Sequence, residues 1–181
     1  MKTTSTGFAR VAVLRGTALY CHWSLALVPL CVGVVTGFAA QATLVYCSAY
    51  LMLICVHEAG HLLCAFALGL RIHAIYVTGN GARCMIETPT TRSRLALMMS
   101  AGVLMQLLLL AATCTWLALF GQPEWLPGTL VVRTFTLVNG VLIVINLLPI
   151  PVKQAHQSDG MVLWRLACSA LRGDDKAPPR P

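Results

Sequence analysis

The run Val56-His57-Glu58-Ala59-Gly60-His61 sets two imidazoles and a carboxylate inside an apolar stretch. Between Thr43 and Leu70 these three are the only histidine, acidic or basic side chains. On a helix, His57 and His61 are i and i+4 and stack on one face, a spacing that lets two imidazoles grip one zinc ion. Glu58 then lies close enough to polarise a metal-bound water. An ionisable group near the centre of a bilayer costs roughly 2.5–3.5 kcal/mol, so three together are expected to be partnered and functional. The chemistry this pattern supports is metal-assisted hydrolysis within a membrane.

A catalytic zinc needs a third protein ligand and an open position for water. The chain offers only six acidic residues. Asp174 and Asp175 belong to the C-terminal tail, Glu124 to a loop on the far side, and Glu87 to the segment between the second and third apolar runs. Asp159 remains, in Asn146-Leu147-Leu148-Pro149-Ile150-Pro151 followed by Ser158-Asp159-Gly160. His61 precedes Leu70 by nine residues, roughly 14 Å along a helix. Asp159 must therefore dip back to that depth. Pro149 and Pro151 break the preceding helix, and irregular backbone at depth is tolerated where protein or a watery cavity surrounds it. His156 lies in the same loop, and zinc accepts imidazole as readily as carboxylate, so donor chemistry leaves both open.

The elements that must carry these groups are membrane helices. Of 181 residues, 57% are hydrophobic and 10% charged, which is not the usage of a soluble globular domain. No charge occurs from Ser24 to Val56, from Leu95 to Pro123, or from Thr134 to Val152. Divided at Phe38-Ala39-Ala40-Gln41-Ala42, these runs give expected spans of about Trp23–Ala40, Thr43–Leu70, Leu95–Phe120 and Leu130–Leu148. The expected fold is an all-α multi-pass membrane protein of about four transmembrane helices, with a small β-hairpin between helices two and three. That hairpin follows from Arg71 to Val77 and Ala82 to Ile86, two β-rich runs joined through Thr78-Gly79-Asn80-Gly81. It is either an ordinary turn or an edge that takes up an extended peptide. Residues 1–172 read as one domain and 173–181 as a disordered polar tail.

The net charge of +7 is a signal of topology. Lys2, Arg10 and Arg15 precede the first span, Arg71, Arg83, Arg92 and Arg94 separate the second and third, and Lys153, Arg165, Arg172, Lys176 and Arg180 follow the fourth. The opposite loops carry no basic residue but Arg133. The positive-inside rule then places both termini and the central loop in the cytoplasm. No basic patch interleaved with aromatics points to nucleic acid. The eight cysteines form no Cys-x-x-Cys pair and read as packing residues. His22 beside Trp23 reads as interfacial, and His73 as a solvated strand residue. No cleavable signal peptide is evident.

His-Glu-x-x-His on one membrane helix, with Asn-x-x-Pro and Asp-Gly on a later one, resembles the site-2 protease family of intramembrane zinc metalloproteases. Arg15 to Ser24 is similar to that family's entry into its first helix, and Gly79-Asn80-Gly81 to its glycine-rich hairpin turn. Ser100 to Gln106 resembles its Ala-Gly-Pro-x-x-Asn patch, with Val103 and Gln106 where the proline and asparagine usually stand. Asp159 lies further beyond Asn146 than is usual, matching a longer form that ends in Ser-Asp-Gly. The resemblance implies one zinc per chain on His57, His61 and Asp159, Glu58 as the catalytic base, and Asn146 and Gln106 as substrate-positioning residues. It also implies a membrane-protein substrate, a place in a bacterial inner membrane, and a separate regulatory protein, since no regulatory domain is appended. A silent relative that binds membrane segments and a metal carrier are the alternatives. The intact Glu58 opposes the first, and the scarcity of polar groups in helices one and three opposes the second.

Overall fold

Alternating and β-branched residues near the N-terminus form strands β1 (Phe8–Leu14) and β2 (Thr17–His22), neither of them expected. In this computed structural model, which describes residues 7–172 apart from 15, 80 and 151–157, they join β3 (Ile72–Thr78) and β4 (Gly81–Ile86) in one sheet of order β1-β2-β3-β4. Asn80, Pro151, His156 and the tail 173–181 lie outside the described residues. β1 with β2 and β3 with β4 are antiparallel, whereas β2 and β3 run parallel, pairing Ala18 with Ala74 and Cys21 with Val77. A parallel pair needs a long crossover. Here the crossover is a helical excursion: a 3-10 turn at Trp23–Ala26, α1 (Leu27–Val35) and α2 (Ala40–Ala67). The expected hairpin is thus half of a larger sheet.

The break between the first two helices falls at residues 36–39, slightly earlier than expected. Gly37 and Phe38 both take positive φ there, and Phe38 folds back so that its ring lies where a side chain on Gly33 would have to go. The first helix, Trp23–Val35, is consequently shorter than the 20 or so residues of a straight crossing. Among the described residues, three helices are long and apolar enough to cross: α2, α3 (Arg92–Phe120), and a 22-residue helix from Leu126 to Leu147. The last comprises α4 (Leu126–Arg133), a π-helical turn at Thr134–Val138, and α5 (Asn139–Leu147). It ends just before Pro149, as the proline requires. A further helix, α6 (Asp159–Leu171), was not anticipated.

Burial is inverted relative to a soluble protein. Leu44, Phe66, Leu119 and Phe120 are exposed, while Glu58, His61, Gln106, Thr134 and Asn139 are buried. Apolar residues outside and polar residues inside suit a hydrocarbon solvent, so the chain is built as an integral membrane protein. The most extensive helix pairing is α2 with α3. It is close because both contact surfaces are bare: a Cβ on Gly60 would strike the backbone oxygen of Ala101. Small residues that let backbones approach are how helices associate where no hydrophobic force separates protein from lipid. α6 packs on α3 through Leu166, Val162, Leu95 and Met98.

Candidate metal centre

α2 carries both histidines, and the pairing with α3 fixes where they point. Gly102 faces them: a Cβ there would come within 2.5 Å of His61 Nε2 and 2.6 Å of His57 Cε1. Asp159 arrives from the other side. It opens α6, whose N-cap Ser158 accepts a hydrogen bond from Met161 N (3.2 Å) and donates one to Leu148 O (2.8 Å), tying the start of α6 to the end of α5. Gly160 lets this turn approach, since a Cβ there would collide with the backbone oxygen of Leu147. The carboxylate thereby returns to the depth of the histidines.

Three ligand atoms converge. His57 Nε2 and His61 Nε2 are 3.1 Å apart, and each is 3.2 Å from Asp159 Oδ2. Ligands around a tetrahedral zinc with bonds of about 2.0–2.1 Å stand about 3.3–3.4 Å from one another. The triangle is close to that size. It is the only such cluster of histidine, cysteine or carboxylate groups among the described residues.

The protons explain why these contacts do not satisfy one another. His61 Nδ1 donates to the Met98 carbonyl at 2.8 Å, leaving Nε2 with a bare lone pair. His57 Nδ1 lies 3.1 Å from Gln106 Oε1, which also accepts from Asn146 Nδ2 at 3.1 Å. Asn146 Nδ2 is 3.3 Å from the same His57 nitrogen, but a nitrogen that donates to Gln106 cannot also accept. With the single ring proton of each neutral imidazole on Nδ1, neither Nε2 can donate. Accordingly Asp159 Oδ2 is buried with no hydrogen-bond partner among the described residues, despite its two close nitrogens. Three lone-pair atoms within 3.2 Å of one another call for a cation between them, and this donor set fits zinc.

Glu58 is 8% exposed. The Cys84 thiol of β4 hydrogen-bonds to it, and burial first, then the Glu58 carboxylate, pushes that thiol pKa up. The strand thus covers the carboxylate. Gln106, expected to position substrate, is 1% exposed, with Oε1 3.1 Å from His57 Nδ1. Asn146 is half-buried on the same group. His22 is elsewhere: its Nδ1 accepts from Ser24 N (3.2 Å) and pairs with Ser24 Oγ (2.8 Å), and its ring lies against Phe8 and Trp23. His73 is exposed on β3.

Three participants escaped the sequence reading. The Met98 carbonyl is main chain and leaves no trace in residue type. Cys84 gives no signal that separates it from seven other cysteines. Asn139, whose Nδ2 donates to Gln106 O at 2.9 Å, could have been found as a polar residue in an apolar run, seven positions before Asn146.

No protein-family model and no curated protein matches the sequence. Among solved structures, the Site-2 Protease from Methanocaldococcus jannaschii matches with a TM-score of 0.66 at 20% identity, over 90% of this chain and 72% of that one. The resemblance carried by the motifs therefore holds at the level of architecture, and this chain has the fold of a site-2 protease.

Proposed function

We propose that this protein is a zinc-dependent intramembrane endopeptidase that cuts a membrane-spanning segment of another protein. The observation that carries the reading is the convergence of His57 Nε2, His61 Nε2 and Asp159 Oδ2 at 3.1–3.2 Å. One zinc per chain held there supplies Lewis acidity to water and to a peptide carbonyl. Glu58, the next residue after His57, takes the proton of the attacking water and hands it to the leaving amine. Its burial raises the strength of every charge interaction around it. Asn146, half-buried at the edge of the cluster, is the amide placed to meet substrate. Gln106 serves as an orienting group for His57 instead, since at 1% exposure it presents nothing to a substrate.

The substrate must offer an unpaired carbonyl, so its helix has to unwind locally before cleavage. Both termini and the sheet lie on the cytoplasmic side in this reading, following the lysine and arginine distribution. The short helix Trp23–Val35 then makes the fourth passage with help from local thinning or from its flanking residues. The test is cleavage of a model transmembrane peptide in detergent or liposomes. Glu58→Gln keeps size and polarity while removing the proton acceptor, so turnover should drop by at least about a hundredfold. Cleavage by Glu58→Gln at the wild-type rate would overturn the catalytic assignment.

A further inference from the structure

Asn139 is fully buried, yet its position leaves its own Oδ1 without a partner among the described residues. Buried amides in apolar helices are kept where a contact requires them. The contact here is Nδ2 donating to the main-chain oxygen of Gln106, from α5 across to α3, at 2.9 Å. Gln106 in turn holds His57 Nδ1 with its side chain. Asn139, Ile143 and Asn146 are i, i+4 and i+7 and share one face of α5. Thus two amides two turns apart grip the same glutamine, one at its backbone and the other at its Oε1.

The turn before Asn139 explains how it comes to face α3. Thr134–Val138 is π-helical, and the Asn139 N–H bonds to Thr134 O, five residues back. One extra residue in a turn rotates all later side chains by about 100° relative to an unbroken helix. Without that rotation the face bearing Asn139 and Asn146 would not meet Gln106. Such turns mark places where a helix has been adjusted to serve a site.

We propose that Asn139 is a positioning residue of the metal centre. It fixes Gln106 on α3 and, through Gln106, the ring plane and Nδ1-protonated tautomer of His57. The metal part of this inference rests on the zinc reading above; the tautomer part does not. The experiment measures zinc affinity by chelator competition on the purified protein in micelles. It compares wild type, Asn139→Leu, Asn139→Ala (amide removed without added bulk), Gln106→Leu, and the double variant Asn139→Leu with Gln106→Leu. Partners behind a ligand typically change metal affinity 10–100-fold. Each Asn139 variant should therefore bind zinc about tenfold more weakly, and the double variant should match Gln106→Leu within about twofold.

Nitrogen-15 histidine spectra of the zinc-free protein give the second readout. Wild-type His57 should carry its proton on Nδ1, and the Asn139 variants should show mixed tautomers. Unchanged affinity and tautomer in both Asn139 variants would overturn the proposal, as would an additive loss in the double variant. A wild-type His57 without the Nδ1 proton would overturn it with no variant at all, which covers a variant that does not fold. A wild type that takes up no zinc would sink the metal reading separately.

Discussion

The two histidines share a helix and one proposed ion, yet their surroundings are built differently. His61 is held by the main chain: its Nδ1 proton goes to the Met98 carbonyl, and the bare α2–α3 contact at Gly60, Ala101 and Gly102 sets its position. His57 is held by side chains, through Gln106, Asn146 and, one step further, Asn139. A carbonyl is present whatever residue supplies it. The His61 side should therefore depend on backbone packing and tolerate changes of side-chain chemistry, whereas the His57 side should be sensitive to the chemistry of single amides.

The largest effect expected from this contrast comes from adding one methyl group. Gly102→Ala places a Cβ against both imidazoles, and overpacking of this kind costs roughly 1–3 kcal/mol where neighbours must shift. Zinc affinity should fall by about a hundredfold, the upper part of that range, while helix content by circular dichroism stays near wild type. Undiminished zinc binding would mean that the α2–α3 contact does not set the ligand geometry. A smaller, asymmetric pair of effects comes next. Gln106→Leu removes the acceptor for His57 and should weaken zinc about 10–100-fold, while Met98→Leu keeps the carbonyl and should change it less than about twofold. Equal losses from the two would erase the distinction between the halves. The smallest change is expected from His22→Ala, which removes contacts with Ser24, Phe8 and Trp23. Its zinc content and cleavage rate should equal those of wild type, and a loss of metal would place His22 in the site.

The two halves were not equally legible in the sequence. His57, Glu58 and His61 stood out because ionisable groups in an apolar run have few structural uses. Asp159 followed because so few acidic residues compete with it. The apolar runs gave the long helices, with the first break misplaced by a few residues because it depends on Phe38 folding onto Gly33. Strands β1 and β2 were missed although Phe-Ala-Arg-Val-Ala-Val-Leu alternates in character. The pairing of β2 with β3 is settled by the helical crossover, a long-range arrangement that local pattern does not contain. α6 carried a readable start in Ser158, its N-cap, but a helix following the loop is short and its apolar face shows only against α3. The roles of Gln106 and Asn139 depend on rotation of α5 by the π-helical turn, which residue spacing does not announce.

Metal content tests the central claim most directly. Purified wild type should carry close to one zinc per chain, Asp159→Ala should lose most of it, and His156→Ala should keep it, because a catalytic zinc site needs three protein ligands. The same amount of zinc in Asp159→Ala as in wild type, with loss in His156→Ala, would contradict the assignment of Asp159 and the site built around it.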